Sequence, residues 1–416
     1  MIALTSALLM SFAALAEPDG RGNKPSGFAG VVVREFAAWD ADQNGELSPG
    51  EIDLLSVDPT IKGDEAAAVA SLKLIVRSNN YLLPKLTKEY LSRPTERRSR
   101  GGASEQDQDS ADRELSEGRA SRDGERPRKQ NPDFQTRYSM SLRTINQTPR
   151  KLFLDDTPDI DRCRQGPLGD CFFVCMAGAL VLRDPEALKN VIKAAPDGGY
   201  EVTFGTGRTV QVSEMTDAEI AMTSRTGNEG LWLPVLEKAF GMIRNEARPE
   251  QHRTEQATDA IALGGSISTA IRALTGHEPN TVVMRSRAEK SQGQKLDDLI
   301  NTAGEKLARA FEEKRLVGAS TGDDKLPPGI NGRHAYAVLG YDAKTRMVRL
   351  WNPHGNSFRP RGTPGIETGY STRGGKFEMP LGDVVRVFRS LSIESDRLTR
   401  DTLRKKPAPR DSSMTR

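Results

Sequence analysis

Cysteine and histidine are scarce in this chain of 416 residues, which contains three cysteines and four histidines. Three cysteines exclude a scaffold built from disulfides, and four histidines leave few candidates for a histidine that acts as a base. An excess of one charge sign is also lacking, because 60 Lys and Arg residues against 57 Asp and Glu residues give a net charge of +3. The balance of charge therefore favours neither a nucleic acid nor an anionic membrane as a partner.

The length allows two or three domains of about 150 residues each, and the composition changes along the chain. Residues 28–91 carry apolar side chains at helical spacing and predict a small helical unit. Residues 92–131 hold a single large apolar residue, Leu115, among mixed charges, which predicts a disordered linker. Residues 132–396 mix helical and strand patterns without repeats and predict an α+β core. The basic stretch 397–416 predicts a disordered tail.

Long hydrophobic runs are absent except at residues 2–16, which are uncharged and mostly apolar. This run is shorter than the about 20 residues of a membrane-spanning helix, and it ends in Ala14-Leu15-Ala16, a site that suits signal peptidase. We therefore predict that residues 1–16 are a signal peptide and that the product is secreted or periplasmic, with no membrane anchor after cleavage. A buried N-terminal helix is the alternative, because no Lys or Arg precedes the run.

Residues 40–51, DADQNGELSPGE, match the twelve-residue calcium loop of an EF-hand. The predicted ligands are Asp40, Asp42, Asn44, Glu46 through its backbone carbonyl, Ser48 directly or through water, and Glu51. Gly45 stands where the chain must turn sharply with positive φ. A solvated acidic loop is the alternative. No second complete loop is found, so we expect weak calcium affinity, roughly 10⁻⁴–10⁻³ M, and a structural role.

Residues 165–173, QGPLGDCFF, place a cysteine directly after a Gly-Asp turn, at the start of the apolar run 171–183, which predicts a buried helix. The positive end of the helix dipole would stabilise the Cys171 thiolate, the reactive form of a nucleophile. Gln165 can fold back, so that its amide and the Cys171 N–H would both donate to a developing oxyanion. The alternative for Cys171 is a buried small side chain, which is the prediction for Cys175 one helical turn later.

A base and an orienting group follow downstream of this cysteine. His334 begins the predicted strand HAYAVLGYD, and a second predicted strand, RMVRLW, leads into Asn352. A hairpin of these strands would bring the Asn352 carboxamide oxygen to the ring N–H of His334 and fix its tautomer, while the other ring nitrogen faces the sulfur. His252 and His277 lie in turn-like surroundings and predict structural roles. His354 is expected to line the site or to cover the Asn352 side chain.

Four motifs resemble the calpain family of cysteine proteases, in the order and at the spacing of that family. QGPLGDCFF is similar to Q-G-x-L-G-D-C-W-F, and LWLPVLEKAFG at 231–241 is similar to W-x-x-L-L-E-K-A. The stretch at His334 is similar to G-H-A-Y-x-V, and LWNPHG is similar to N-P-W-G. The resemblance covers about residues 135–396. Phe172 and His354 differ, because the family has tryptophan at both positions.

The resemblance implies a two-lobed, papain-like core and a calcium-regulated cysteine endopeptidase that acts on protein substrates. It implies Cys171 as nucleophile, His334 as base, Asn352 as the group that orients the base, and Gln165 as oxyanion donor. The chain is therefore predicted to be α+β, a papain-like core preceded by an EF-hand unit, with Ca²⁺ as cofactor.

Two other functions remain open for this sequence. A catalytically silent homologue could act as a calcium-dependent binding module, although the presence of all four catalytic groups favours catalysis. Acyl transfer to an amine is the third possibility, which Asn352 disfavours because transglutaminase-like sites use Asp as the orienting group.

The helical unit and the core are expected to act independently, because a flexible charged linker samples many end-to-end distances. The core 132–396 alone is therefore predicted to cleave peptides as well as the mature chain does. Direct gating of catalysis by the calcium loop would require a folded contact across the linker.

Overall fold

The computed structural model describes residues 27–78, 80–93, 131–154, 157–196, 198–323 and 325–405. The predicted signal peptide, most of the predicted linker and residues 406–416 lie outside these ranges. No helix in the described ranges is both long enough and apolar enough to cross a membrane.

The elements fall into a helical first part and a mixed second part. The helices are α1 Phe28–Trp39, α2 Pro49–Val57, α3 Gly63–Arg77, α4 Lys88–Leu91, α5 Phe134–Gln147, α6 Cys171–Arg183, α7 Pro185–Val191, α8 Asp217–Met222, α9 Trp232–Glu246, α10 Ile267–Thr275, α11 Arg285–Ala288, α12 Gln294–Glu312, α13 Leu381–Val387 and α14 Arg400–Lys405. The strands are β1 Ile192–Ala194, β2 Tyr200–Thr203, β3 Thr209–Val212, β4 His277–Val283, β5 Val317–Ser320, β6 Ala335–Asp342, β7 Met347–Trp351, β8 Lys376–Pro380 and β9 Ser390–Leu398.

Helices α1 to α4 share one hydrophobic core, and α3 is buried along most of its length. The alanines of α3 let neighbouring helices approach closely because they carry only a methyl group. Phe28 of α1 stacks on Phe134 of α5, with ring centroids 4.9 Å apart and an interplanar angle of 10°. Ala218 and Met222 of α8 complete the same core. The core of the helical unit therefore includes two helices that follow the linker.

The second part contains a three-stranded sheet of order β1-β2-β3 and a six-stranded sheet of order β4-β9-β5-β6-β7-β8, both antiparallel. In the β6–β7 hairpin Ala337 pairs with Trp351. The residues that precede β6 and follow β7 therefore lie at the same end of the hairpin.

Two further hydrophobic cores divide this part into two lobes. One core joins α6, α9 and α10 to the three-stranded sheet, and the other joins the six-stranded sheet to α12 and α13. The lobes meet where α6 packs on β7, because a Cβ at Gly178 would lie 2.5 Å from the Trp351 ring. This arrangement confirms the predicted α+β fold with a two-lobed, papain-like core.

The helical unit is docked on the region after the linker, which differs from the expected absence of a folded contact, while the activity of the isolated core stays a prediction. Lys73 of α3, with 6% of its side chain exposed, bridges Asp53 of α2 and Asp259 of the second part. The Thr216 hydroxyl, at the start of α8, donates to the Ser56 carbonyl at 2.7 Å. The physical reason is that the apolar face of α3 needs a partner, which α5 and α8 provide.

The predicted disordered tail also begins later than its composition suggests. Strand β9 extends to Leu398, where it pairs with His277 of β4, and α14 follows directly. Strand β9 continues past residue 396 although its residues there are polar and charged, because pairing with β4 satisfies their backbone N–H and C=O groups. The remaining part of the prediction, residues 406–416, lies outside the described ranges.

Candidate active site and calcium loop

Cys171 is the first residue of α6 and lies in a cleft between the two lobes. The Asp170 carbonyl accepts hydrogen bonds from the N–H groups of Phe173 at 2.7 Å and Val174 at 3.1 Å, which begins the helix at this point. The thiol is partly exposed and lines a cleft of about 510 Å³. Cys171 therefore combines a helix N-terminus, which favours a thiolate, with space for a substrate.

The other two cysteines are buried outside this cleft. Burial raises the pKa of the Cys163 and Cys175 thiols well above the usual range. The Cys175 sulfur donates to the Phe172 carbonyl at 3.6 Å, as expected for a core residue. Of the three cysteines in the chain, Cys171 is thus the one that is not buried.

His334 and Asn352 meet at the open end of the β6–β7 hairpin. The His334 Nε2 atom lies 2.8 Å from the Asn352 Oδ1 atom, and the two residues are 2% and 1% exposed. Because an amide oxygen only accepts, this bond assigns the proton to Nε2 and makes Nδ1 the nitrogen that can accept a proton. His334 lines the same cleft as Cys171.

Three residues that sequence reasoning missed hold this pair in place. Thr321 exchanges two hydrogen bonds with the His334 backbone, at 2.9 Å and 3.1 Å. The Asn352 Nδ2 atom donates to Asn331 Oδ1 at 3.2 Å, and the Tyr336 ring meets the His334 ring edge-on with centroids 5.0 Å apart. Thr321 and Asn331 belong to no motif, so only the folded chain reveals them.

His354 is a third neighbour of the imidazole. Its ring stacks on the His334 ring, with centroids 4.8 Å apart and an interplanar angle of 11°, and its backbone N–H donates to Asn352 Oδ1 at 3.0 Å. His354 is 3% exposed. The structure thus places it against the base and beside the Asn352 carboxamide, at the position where the calpain motif has tryptophan.

Gln165 lines the cleft and is 2% exposed. Its backbone N–H donates to the Pro353 carbonyl at 2.8 Å, and its side-chain Nε2 donates to the Leu168 carbonyl at 2.7 Å. The neighbouring Gly166 is required by close packing, because a Cβ there would lie 2.2 Å from the Thr223 carbonyl oxygen. One carboxamide N–H of Gln165 is therefore used inside its own turn, and a second N–H remains on the same nitrogen.

Sequence reasoning also missed a buried pair of carboxyl groups behind the nucleophile. Asp170 and Glu237 are fully buried and contact each other through their side chains. Glu237 accepts from the Ser224 N–H at 2.8 Å and from its hydroxyl at 2.6 Å. Burial raises the pKa of Asp170 to about 7. Burial and the Asp170 charge raise the pKa of Glu237 well above its usual range, so the pair holds a proton between its oxygens.

The predicted calcium ligands Asp40, Asp42 and Glu51 converge, with carboxylate oxygens within 4.8 Å of one another. The Asp40 carboxylate accepts from the N–H groups of Asn44 at 3.1 Å and Gly45 at 2.9 Å. Gly45 has φ of 85°, a conformation that favours glycine. The loop therefore takes a compact form in which three carboxylates face one point.

The remaining predicted ligands border this cluster. Asn44 bonds to the Asp42 carboxylate at 2.8 Å, and Ser48 caps α2 in a reciprocal pair of hydrogen bonds with Glu51. The Glu46 carboxylate pairs with Lys85 at 2.9 Å, which leaves the backbone carbonyl as its predicted ligand atom. Burial tends to raise the pKa of Glu51, but hydrogen bonds from Ser48 and neighbouring N–H groups outweigh burial and lower it.

Oxygen atoms alone make up this donor set, and carboxylate oxygens dominate it. Such hard ligands suit Ca²⁺, which takes six to eight oxygens in a flexible shell. The residues present therefore fit a calcium ion.

Comparison with known proteins places these residues within one family. The family model for calpain family cysteine proteases matches residues 126–362, which is more than half of the chain. The matched range contains Gln165, Cys171, His334 and Asn352 and excludes the acidic loop. None of the curated proteins matches the chain.

Proposed function

The chain belongs to the calpain family of cysteine proteases, and from that membership we propose a calcium-associated endopeptidase that uses Cys171, His334 and Asn352. A cysteine peptidase of this family implies protein substrates. The observation that carries the residue assignment is the 2.8 Å contact between His334 Nε2 and Asn352 Oδ1, because His334 lines the cleft that Cys171 also lines.

In the proposed reaction, Cys171 transfers its proton to Nδ1 of His334, and the thiolate sulfur attacks the carbonyl carbon of the scissile peptide bond. The second N–H of Gln165 Nε2 and the Cys171 backbone N–H donate to the oxyanion that forms. The imidazolium then gives its proton to the leaving amine as the C–N bond breaks, which leaves a thioester. Water then loses a proton to His334 as its oxygen attacks the thioester carbon, the C–S bond breaks to release the acid, and His334 returns the proton to the sulfur to restore the thiol.

Asn352 contributes by orientation in this scheme. Its carboxamide oxygen holds the proton on Nε2 and directs the ring, so that Nδ1 stays the acceptor during both proton transfers. The contacts from Thr321 and Asn331 fix both partners, which lowers the entropy lost when the reacting geometry forms.

Replacement of the nucleophile tests this function directly. Cys171→Ala is expected to abolish peptide hydrolysis and labelling by a thiol-directed epoxide, whereas the control Cys175→Ala keeps both because its sulfur is buried. Undiminished hydrolysis by the Cys171→Ala protein would end the assignment. A wild-type protein that binds peptides but neither cleaves them nor reacts with the epoxide would instead support the silent, calcium-dependent binding module.

Calcium association is proposed from the loop 40–51. The ligands would be the side chains of Asp40, Asp42, Asn44, Ser48 and Glu51 and the carbonyl of Glu46. The ion would neutralise the repulsion among the three clustered carboxylates and thereby stabilise the start of α2. Calorimetric titration of the mature chain with calcium measures the affinity of this loop independently of catalysis. The Glu51→Gln protein is the control.

The position of the helical unit supports a link between this loop and catalysis. Helix α2 ends near Ser56, whose carbonyl accepts from Thr216 at the start of α8. After α8, the Ser224 hydroxyl accepts from the Gly166 N–H at 3.3 Å, directly beside Gln165. These contacts connect helix α2 to the turn that holds Gln165 and support a proposed coupling between the calcium loop and catalysis.

We further propose that the protein is exported. The apolar run 2–16 and its small-residue end support a signal peptide, which would deliver the enzyme to the periplasm or the medium. Mass spectrometry of the N-terminus of the protein recovered from those fractions checks this, and an intact Met1 on the recovered protein would contradict it.

A further inference from the structure

Hydroxyl groups line one wall of the cleft that contains Cys171. Thr281, Ser320, Ser390 and Ser392 all border this cleft. The strand register sets Thr281 opposite Ser392 and Ser320 opposite Ser390, so the four side chains lie on one face of β4, β9 and β5. The Ser320 and Ser390 hydroxyls are 2.9 Å apart. This wall offers hydrogen bonds to a substrate side chain, whereas an apolar wall would offer none.

Arg389 stands at the edge of this hydroxyl-lined wall, immediately before β9. Its backbone is fixed on both sides, because its N–H donates to the Ser320 carbonyl at 2.7 Å and its carbonyl accepts from the Met284 N–H at 2.9 Å. Arg389 is an exposed residue and is one of the residues that line the cleft. Within the described ranges no carboxylate forms an ion pair with its guanidinium, so its positive charge is not compensated by a neighbour.

The other charged residues that border the cleft do not neutralise the positive charge of Arg389. Asp323 is the acidic residue among the described cleft residues, and it pairs with Arg333 at 3.3 Å. Arg333 directly precedes the base His334 and has φ of 50°, a conformation that few residues other than glycine adopt. The backbone there is held by a hydrogen bond from the Arg333 N–H to the Gly322 carbonyl at 2.9 Å. Apart from the imidazole, two arginines and one aspartate therefore give the described cleft residues a net charge of one positive unit.

We propose that Arg389, together with the hydroxyl-lined wall, selects substrates that carry an acidic side chain close to the scissile bond. The carboxylate would accept charge-assisted hydrogen bonds from the guanidinium and further hydrogen bonds from the serine hydroxyls. A lysine side chain at the same place would meet an unpaired positive charge, which disfavours it. This inference rests on the proposed peptidase function, because it concerns the specificity of the same cleft.

Peptide kinetics test the selectivity. In a fluorogenic panel, each position on either side of the cleaved bond is Glu, Gln or Lys in turn. We expect one position near the cleaved bond at which Glu gives about tenfold higher kcat/KM than Gln, the ratio produced by one charge-assisted hydrogen bond. Arg389→Ala should remove this ratio, and Arg389→Glu should favour Lys instead. Equal rates for Glu and Gln at every position would overturn the proposal.

A matched arginine serves as the control. Arg386 on α13 is also exposed, but its guanidinium bonds to the Gly382 carbonyl at 3.0 Å and does not border the cleft. Arg386→Ala should keep the preference for Glu. Loss of the preference in this variant as well would show a general charge effect and would also overturn the role of Arg389.

Binding to a protein without the nucleophile separates this inference from the proposed function. The Cys171→Ala chain cannot turn over substrate, so fluorescence anisotropy of labelled Glu and Gln peptides reports recognition alone. We expect about tenfold tighter binding of the Glu peptide, loss of that difference in Cys171→Ala/Arg389→Ala, and weakening of it at high salt, which screens exposed charges. Equal binding of both peptides would overturn the inference even if hydrolysis were observed. A retained difference would support it even if the wild-type protein cleaved nothing.

Discussion

The imidazole of His354 lies face to face with that of His334, with ring centroids 4.8 Å apart. The same residue donates its backbone N–H to the Asn352 oxygen that orients the base. His354 therefore contacts both members of the pair that the proposed mechanism uses, and its ring keeps water from one face of the hydrogen bond between them.

Removal of this ring is expected to lower activity without removing a reacting group. His354→Ala should reduce kcat/KM about tenfold, because water then competes for the bond between His334 and Asn352. His354→Phe and His354→Trp should recover most of the activity, since each restores a flat ring. The exposed His252 provides the control, and His252→Ala should behave as wild type. An unchanged rate in His354→Ala would contradict this role.

The base and its orienting residue should differ in their contributions. His334→Ala is expected to lower kcat by several orders of magnitude because it deletes the proton acceptor, while Asn352→Ala loosens the ring and lowers kcat less. Single-turnover kinetics with a peptide ester and a peptide amide measure both effects. The assignment fails if His277→Ala, whose ring pairs with Glu394 at 3.0 Å, is as inactive as His334→Ala.

Calcium should affect both stability and catalysis. Because the loop contacts the oxyanion turn through α2 and α8, Glu51→Gln is expected to abolish calcium binding by the loop and to reduce the calcium-dependent part of the peptidase rate. Two calcium titrations of the full mature chain measure these effects: one follows the heat of calcium binding, and the other follows the rate of peptide hydrolysis. Hydrolysis with identical calcium dependence in wild type and Glu51→Gln would restrict the loop to a structural role.

The buried lysine at the docking interface should be important for stability. Lys73→Ala leaves the buried Asp53 without its cation and Asp259 with Arg77 alone, and breaking such a buried pair destabilises a fold by about 3 kcal/mol. Urea unfolding followed by circular dichroism gives the free energy of unfolding. Arg309→Ala is the control, because its ion pair with Glu313 is exposed and should contribute no measurable stability. A small effect of Lys73→Ala would show that the interface tolerates an unpaired Asp53 carboxylate.

The proton shared by Asp170 and Glu237 predicts a pH dependence of stability. The pKa of Asp170 in the folded protein is raised to about 7, so the folded state holds a proton that the unfolded state releases at about pH 4. The contribution of this proton to the free energy of unfolding should therefore be fully present below about pH 4 and be lost as the pH rises to about 7. The free energy of unfolding should fall by at most about 1.4 kcal/mol per pH unit for each proton. Asp170→Asn should flatten this slope. Urea unfolding between pH 5 and 8.5 measures it, and an equally steep slope in the variant would contradict the assignment.

Local sequence was sufficient to predict the parts of the site that lie on single elements. The helix at Cys171 and the strands around His334 and Asn352 follow from apolar periodicity, and the hairpin then brings the last two together. The Asp170–Glu237 pair could not be predicted in this way, because each carboxyl lies in an apolar stretch and finds its partner only through tertiary packing. Two signals were available: Glu237 is a charged residue within a buried helix, and both acids are part of the quoted motifs QGPLGDCFF and LWLPVLEKAFG.

Docking of the helical unit was mispredicted for a related reason. The composition of residues 92–131 describes the linker but not the surfaces that it connects. Lys73, a charge in the middle of the apolar helix DEAAAVASLKLIVR, was the signal that this face has a partner, since a buried ammonium group needs carboxylates. Asp259, one of those carboxylates, lies far away in sequence.

The packing of Phe134 determines whether the two pieces of the chain separate after a proteolytic cut. Tyr90, near the end of the described range 80–93, meets Phe134 edge-on with ring centroids 6.2 Å apart, and Phe28 stacks on the same ring. The chain therefore leaves and re-enters a single core. A cut between residues 94 and 130 would yield two polypeptides that stay together as one particle, so the processed enzyme would migrate as two bands under denaturing conditions and as one species in native chromatography.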